Sequence, residues 1–197
     1  MSNSSSSSPM PRLAPPGAGL PKLEQWIASI GVRWQAARVT RAASAATFAS
    51  EANAIRVLVE QQSPATLAIP VLIKRLRGLE DSSRYWSVLM TIDHLRIVNE
   101  QVTEVIRSLA AGRVPDRKAS TAVVKPSREV DHAVIAAFAK GCSEFERVVA
   151  ECATLKTPVR FAHPWFGPLD AAGWHFMAGF HMRLHRKQML RILAGLP

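Results

Sequence analysis

Four long stretches of this chain carry helical periodicity, separated by breaks rich in proline or glycine. That layout restricts the fold more than any other feature. The stretches lie at roughly 22–62, 81–112, 127–154 and 171–195, with a short one near 65–78 in which Pro70 marks a start or a kink. The first is long enough to hold a break, near Gly31 or at the small-residue patch 42–46. In the second, "DSSRYWSVLMTIDHLRIVNEQVTEVIRSLAAG", Asp81 or Ser82 can cap the start and Gly112 the end. The third opens near Ser127 and closes near Thr154, and the last is bounded by Asp170 as N-cap and by Gly195 and Pro197. Between them, "RVPDRKASTAVVKPS" reads as a loop, and "KTPVRFAHPWFGPLD" as an irregular connector with three prolines. Strand signals are weak throughout. The expected fold is all-α: an antiparallel four-helix bundle with extra short helices.

The Ser/Pro-rich opening, residues 1–20, reads as a disordered tail ahead of a single domain at 21–197. It lacks the basic start and apolar block of a secretory signal, and no apolar run is long enough to span a membrane. Cys142 and Cys152, in one helical pattern, are about 15 Å apart along the axis, too far for a disulfide. Two reduced thiols fit a cytoplasmic protein. A net charge of +10 invites a nucleic-acid reading. Yet the basic residues are interleaved with Asp and Glu, no run of five occurs, and no zinc-finger or RNA-recognition motif is present. A helix-turn-helix is the one nucleic-acid motif left open. Charge alone speaks to solubility and nonspecific attraction, so nucleic acid is not the expected partner.

The histidines carry the chemistry. On a wheel of the last helix with Trp174 at zero, Met177, Phe180, Leu184 and Ile192 define a buried arc. His181 and His185 fall inside or beside it, four residues apart and about 6 Å along the axis, so two imidazoles can converge on one ion. Gln188 lies on the same side, and His175 points elsewhere, as a structural or surface residue. A third ligand must come from another helix. His94, in "MTIDHLRIVNEQV", sits at the edge of the arc holding Val98, Val102 and Val105, away from the charged side. Asp93, beside it in sequence, reads as a surface charge. A single inward histidine is more often a hydrogen-bonded core residue than a ligand, so facing alone leaves both readings open. His132 reads as structural, and His163, in a loop beside Pro164, as a residue bordering the mouth of a site.

A histidine midway along the second bundle helix ("TIDHLRIVNE") and an HxxxH pair in the last ("GFHMRLHRKQM"), led in by "HPWFGPLDAAGW" and followed by Gln188, resemble the DinB-like (YfiT-like) metalloenzyme superfamily of four-helix bundles. The likeness spans roughly 60–195 and departs at the amino terminus. It implies a divalent-metal site at His94, His181 and His185, with positions open to water or substrate.

Such a site, holding zinc or nickel, lowers the pKa of bound water toward about 7 or stabilises a bound thiolate. The expectation is therefore a metal-dependent enzyme, either a hydrolase or a transferase using a low-molecular-weight thiol. Gln188 is placed to orient a ligand and Trp174 to wall a pocket, each with a packing role as its alternative. No Ser-His-Asp set, phosphate loop or dinucleotide fingerprint is visible. The alternatives are a noncatalytic, metal-stabilised stress or regulatory bundle and then a basic nucleic-acid-binding protein. Homodimerisation through helix faces is compatible with a small bundle.

Overall fold

The computed structural model describes residues 11–116 and 118–197. Among the described residues six α-helices form: α1 (Lys22–Arg38), α2 (Arg41–Glu60), α3 (Pro64–Ala68), α4 (Val88–Ala110), α5 (Ala133–Glu151) and α6 (Ala171–Ala194). α2, α6, α4 and α5 pack in that cyclic order as a four-helix bundle, and α1 lies outside against α6. The core is a single cluster, in which α2 and α5 meet through Phe48 stacked on Phe145 at 4.1 Å.

The first stretch breaks at Val39–Thr40 rather than at Gly31 or the alanine patch. Thr40 accepts from the Ala43 amide and starts α2. Arg41, one residue on, reaches the orphan carbonyls at the end of α5, on Val149, Ala150 and Cys152. Pro70 lies just beyond α3, whose C-cap Ile69 is extended as the residue before a proline tends to be.

α4 begins later than Asp81 or Ser82 would place it. Ser87 caps it, accepting from Met90 N at 3.1 Å. Asp81 instead binds Arg84 and the Ala14 amide, and residues 85–86 are taken up in a ladder. That ladder pairs β1 (Val71–Leu72) with β2 (Tyr85–Trp86). At the other end, Gly112 has φ +73°, and its own amide and that of Arg113 close the helix with 5→2 and 6→1 bonds to Leu109 and Ser108.

α5 is also shorter than the periodicity suggests. The Ser127 amide donates to Asp93 and Asp131 accepts from Ala133 N, so residues 127–132 are held off the helix. The proline-rich connector is not wholly irregular: β3 (Phe161–His163) and β4 (Gly167–Leu169) form a hairpin, with Gly167 at φ +72°. Asp170 then caps α6 by accepting from Gly173 N at 2.8 Å, as its sequence position implies.

Of the Ser/Pro-rich opening, residues 11–20 run along the bundle, and residues 1–10 lie outside the described residues. The Ala14 amide donates to Asp81, the Gly17 amide to Glu80, and Leu20 is buried.

Candidate metal centre

α6 touches α1, α2 and α4, so it buries more of its circumference than a one-faced helix would. Met182 and Met189, well outside the expected arc, are fully buried, as is His175. Phe180, expected inside, is exposed. Asp93 on α4 is likewise buried, its charge met by Arg96 at 2.8 Å and by the Ser127 amide. One-arc reasoning fails at both places because these helices have neighbours on several sides.

His94, His181 and His185 do come together. One ring nitrogen from each lies within 4.8 Å of the others. Ring centroids are 4.4 Å apart for His181–His185, 4.5 Å for His94–His185 and 5.0 Å for His94–His181. Trp86, on β2, flanks the group and stacks near-parallel with His185.

The surroundings set which nitrogen carries the proton in two of the three rings. His94 Nδ1 is 2.6 Å from the Val124 carbonyl, which can only accept. That leaves the Nε2 lone pair of His94 facing the cluster. Gln188, fully buried, donates from Nε2 to the Ser83 carbonyl at 2.7 Å. Its Oε1 must then accept from His185 Nδ1, also at 2.7 Å, so the Nε2 lone pair of His185 is free as well.

His181 is held differently. Its Nδ1 is buried without a hydrogen-bond partner, and its Nε2 lies 3.2 Å from His94 Nε2. Nitrogens sharing an ion at bonds of about 2.0–2.1 Å stand about 3.0–3.4 Å apart, so this spacing fits two ligands of one centre. Three nitrogen donors with two tautomers fixed by outer hydrogen bonds suit a borderline-soft divalent cation. Burial lowers the His94 pKa to about 4 against the opposing pull of the Val124 hydrogen bond. Burial, reinforced by repulsion from their neighbours, holds His181 and His185 well below the ordinary value. All three are therefore neutral at pH 7, the form a metal requires.

A cavity of about 150 Å³ opens above the histidines, with mostly apolar walls. α4 contributes Val98, Val102 and Val105, and α6 contributes Trp174 and Met177. Trp174 is fixed by a 3.3 Å hydrogen bond from Nε1 to the Phe161 carbonyl. His163, on the hairpin, also lines the cavity. It accepts at Nδ1 from Trp165 N and stacks on Phe166 at 4.5 Å, so its proton is on Nε2. Burial pushes its pKa down to about 3.

The loop between α4 and α5 roofs the cavity, and sequence reasoning missed its part. Buried Glu80 anchors it, taking Lys125 Nζ at 2.6 Å and Thr121 Oγ1 at 2.9 Å. Burial pushes Glu80 up, but Lys125, Thr121 and the Gly17 amide together outweigh it and hold the carboxyl below its ordinary value. A backbone carbonyl such as that of Val124 has no sequence signature, and a Glu80–Lys125 pair forty-five residues apart has no local one. The two cysteines stand away from this centre: buried Cys142 has its thiol pushed up to about 12 and stays protonated.

No helix among the described residues is long and apolar enough to cross a membrane. No family model matches the chain, and no curated protein matches it. Among solved structures it is similar to TT2238, described as a four-helix bundle protein, with a TM-score of 0.57 and 22% identity over 77% of this chain and 98% of that one. At that identity the likeness shows the four-helix bundle fold.

Proposed function

We propose that this chain is a DinB-like metalloprotein in which His94, His181 and His185 hold one divalent cation, zinc or nickel, at the floor of a substrate cavity. The observation that carries the reading is the prearranged donor set. Two imidazoles have their outer nitrogens occupied by Val124 and Gln188, leaving one ring nitrogen from each of the three histidines within 4.8 Å of the others. Neutral imidazoles gathered this closely, one with an unpartnered nitrogen, are costly to bury with nothing between them.

The cavity favours an enzyme over a metal-stabilised scaffold, because a purely structural site needs no access for a small molecule. When bound, the cation would supply Lewis acidity toward water or a thiol, which fits a hydrolase or a transferase using a low-molecular-weight thiol. The chain's own contributions are physical. Trp174, Met177 and the α4 valines exclude water and bind an apolar substrate body. His163, with its proton on Nε2, offers a neutral donor at the cavity wall. Lys125 is already neutralised by Glu80, so its charge is not free to hold an anion.

The test is metal content by mass spectrometry on untagged protein, beside His181→Ala/His185→Ala. About one ion per chain in the wild type and none in the variant supports the site. A folded wild type that takes up neither zinc nor nickel refutes it. Hydrolysis and thiol-transfer screens on loaded protein then separate the two reaction classes.

A further inference from the structure

α1 is amphipathic in an unusual sense: both of its faces are apolar, and the bulkier one points to water. Its inner side is made of small residues, with Ala28, Val32 and Ala36 set against the rest of the chain. Its outer side carries Leu23, Trp26, Ile27, Ile30 and Trp34, which are 69%, 62%, 57%, 51% and 57% exposed. At 100° per residue these five fall within an arc of about 100°, centred opposite Val32. Scattered exposed apolar residues need no explanation, but five large ones in one stripe do.

The spacing points to the occupant. Leu23, Ile27, Ile30 and Trp34 follow one another at intervals of four, three and four, the seam of a two-stranded helical pair. Reversed end to end, the stripe meets itself: Leu23 stands opposite Trp34 and Ile27 opposite Ile30. That self-matching is what an isologous two-fold contact demands. One charged side chain borders the seam at its end: the Arg38 guanidinium lies 4.1 Å over the Trp34 ring, and it is exposed and can turn aside. The one acidic residue of the helix, Glu24, is turned onto Arg75 and the Gly78 amide of its own chain. Full burial of the five side chains removes roughly 600 Å² from each copy, and the pair together reaches the lower end of the standard range for stable interfaces.

We propose that a second copy of this chain docks antiparallel along α1, burying Leu23, Ile27, Ile30 and Trp34 of each copy in a shared seam with Trp26 at its flank. The inference stands apart from the metal site, since α1 contributes no residue to the histidine cluster or to the cavity lining.

Because each chain carries +10, the copies repel at long range while the seam attracts. Added salt therefore tightens the dimer, whereas attachment of the same stripe to an anionic lipid surface would weaken with salt. Sedimentation velocity on the full chain, over micromolar concentrations at low and high salt, reads this directly. A dimer that strengthens with salt is expected. Ile27→Glu/Ile30→Glu is expected to raise its dissociation constant about a hundredfold or more. Both positions face solvent in the single chain, so helix content by circular dichroism is expected to stay unchanged. Ile27→Leu/Ile30→Leu keeps the seam apolar and is expected to preserve the dimer. A monomer at every concentration and salt overturns the proposal, as does a dimer indifferent to the glutamate substitutions. Salt-sensitive flotation with phosphatidylserine vesicles by a chain that stays monomeric overturns it in favour of a lipid surface.

Discussion

Gln188 is the residue whose replacement separates packing from ligand positioning. It is fully buried and makes two 2.7 Å hydrogen bonds, accepting from His185 Nδ1 and donating to the Ser83 carbonyl. Gln188→Leu keeps the volume and strands both partners in a dry core. Each stranded group costs about 1–3 kcal/mol, so the metal-free protein is expected to lose about 2–5 kcal/mol of stability. The same change frees His185 to rotate and to exchange tautomers. Zinc affinity, read by competition with a chromophoric chelator, is expected to fall about 10–100-fold. Gln188→Glu retains an acceptor for His185 but no donor for Ser83. It is expected to lose stability while holding zinc within about tenfold of the wild type. Urea denaturation of metal-free protein gives the first quantity and chelator competition the second. A Gln188→Leu variant with wild-type midpoint and wild-type zinc affinity would refute the tautomer argument. A loss of stability alone would reduce Gln188 to a packing residue.

Acid should weaken the metal-free fold through its buried imidazoles. Unfolded histidines titrate near 6.5, while folded His94 and His175 are lowered to about 4 and His163 to about 3, in each case by burial. Between those values the unfolded chain binds more protons, so stability is complete above 6.5 and declines as pH falls toward the folded values. Each group removes about 2 kcal/mol between about pH 7 and pH 5, and a urea midpoint that does not move over that interval contradicts the burial. Glu51 joins α2 to α6 through Arg183 at 2.8 Å and Arg186 at 2.6 Å. Both arginines can turn to water, so Glu51→Ala is expected to cost only about 1–3 kcal/mol in chemical denaturation, and no change would show that the clamp is idle. At Gly179 the α6 backbone approaches α2 so closely that an added Cβ would stand 3.1 Å from Thr47 Cγ2 and 3.3 Å from Phe48 N. Gly179→Ala gains helix propensity yet is expected to lower the melting temperature, at a net cost of about 1–3 kcal/mol; a rise would mean the helices separate freely.

Local chemistry made much of this protein legible in the sequence. Asp170 and Gly112 mark helix ends because capping depends on one side chain or one backbone conformation at a fixed offset. The i, i+4 spacing of His181 and His185 places them side by side in any helix, whatever surrounds it. The four-helix bundle follows from the count of long periodic stretches, each with an apolar side to cover. The start of α4 was less legible, because Asp81, Ser82 and Ser87 are all competent caps. The β1–β2 ladder, formed with a segment fifteen residues away at Val71↔Trp86, decides for Ser87.

The tertiary structure alone decided everything that depends on a second element. A wheel assigns one buried arc, but α6 has three helical neighbours, so His175, Met182 and Met189 are buried where a single arc leaves them out. The direction of the lone pairs on His94 and His185 rests on a loop carbonyl thirty residues away and on an amide held by Ser83. Residue type predicts neither, because hydrogen-bond direction belongs to the partner as much as to the ring. Likewise the sequence shows Leu23, Ile27, Ile30 and Trp34 as apolar residues of a helical stretch. Only the fold shows that α1 turns its small residues inward and this bulky seam outward, since which face a bundle covers is set by the shape of the helix it covers.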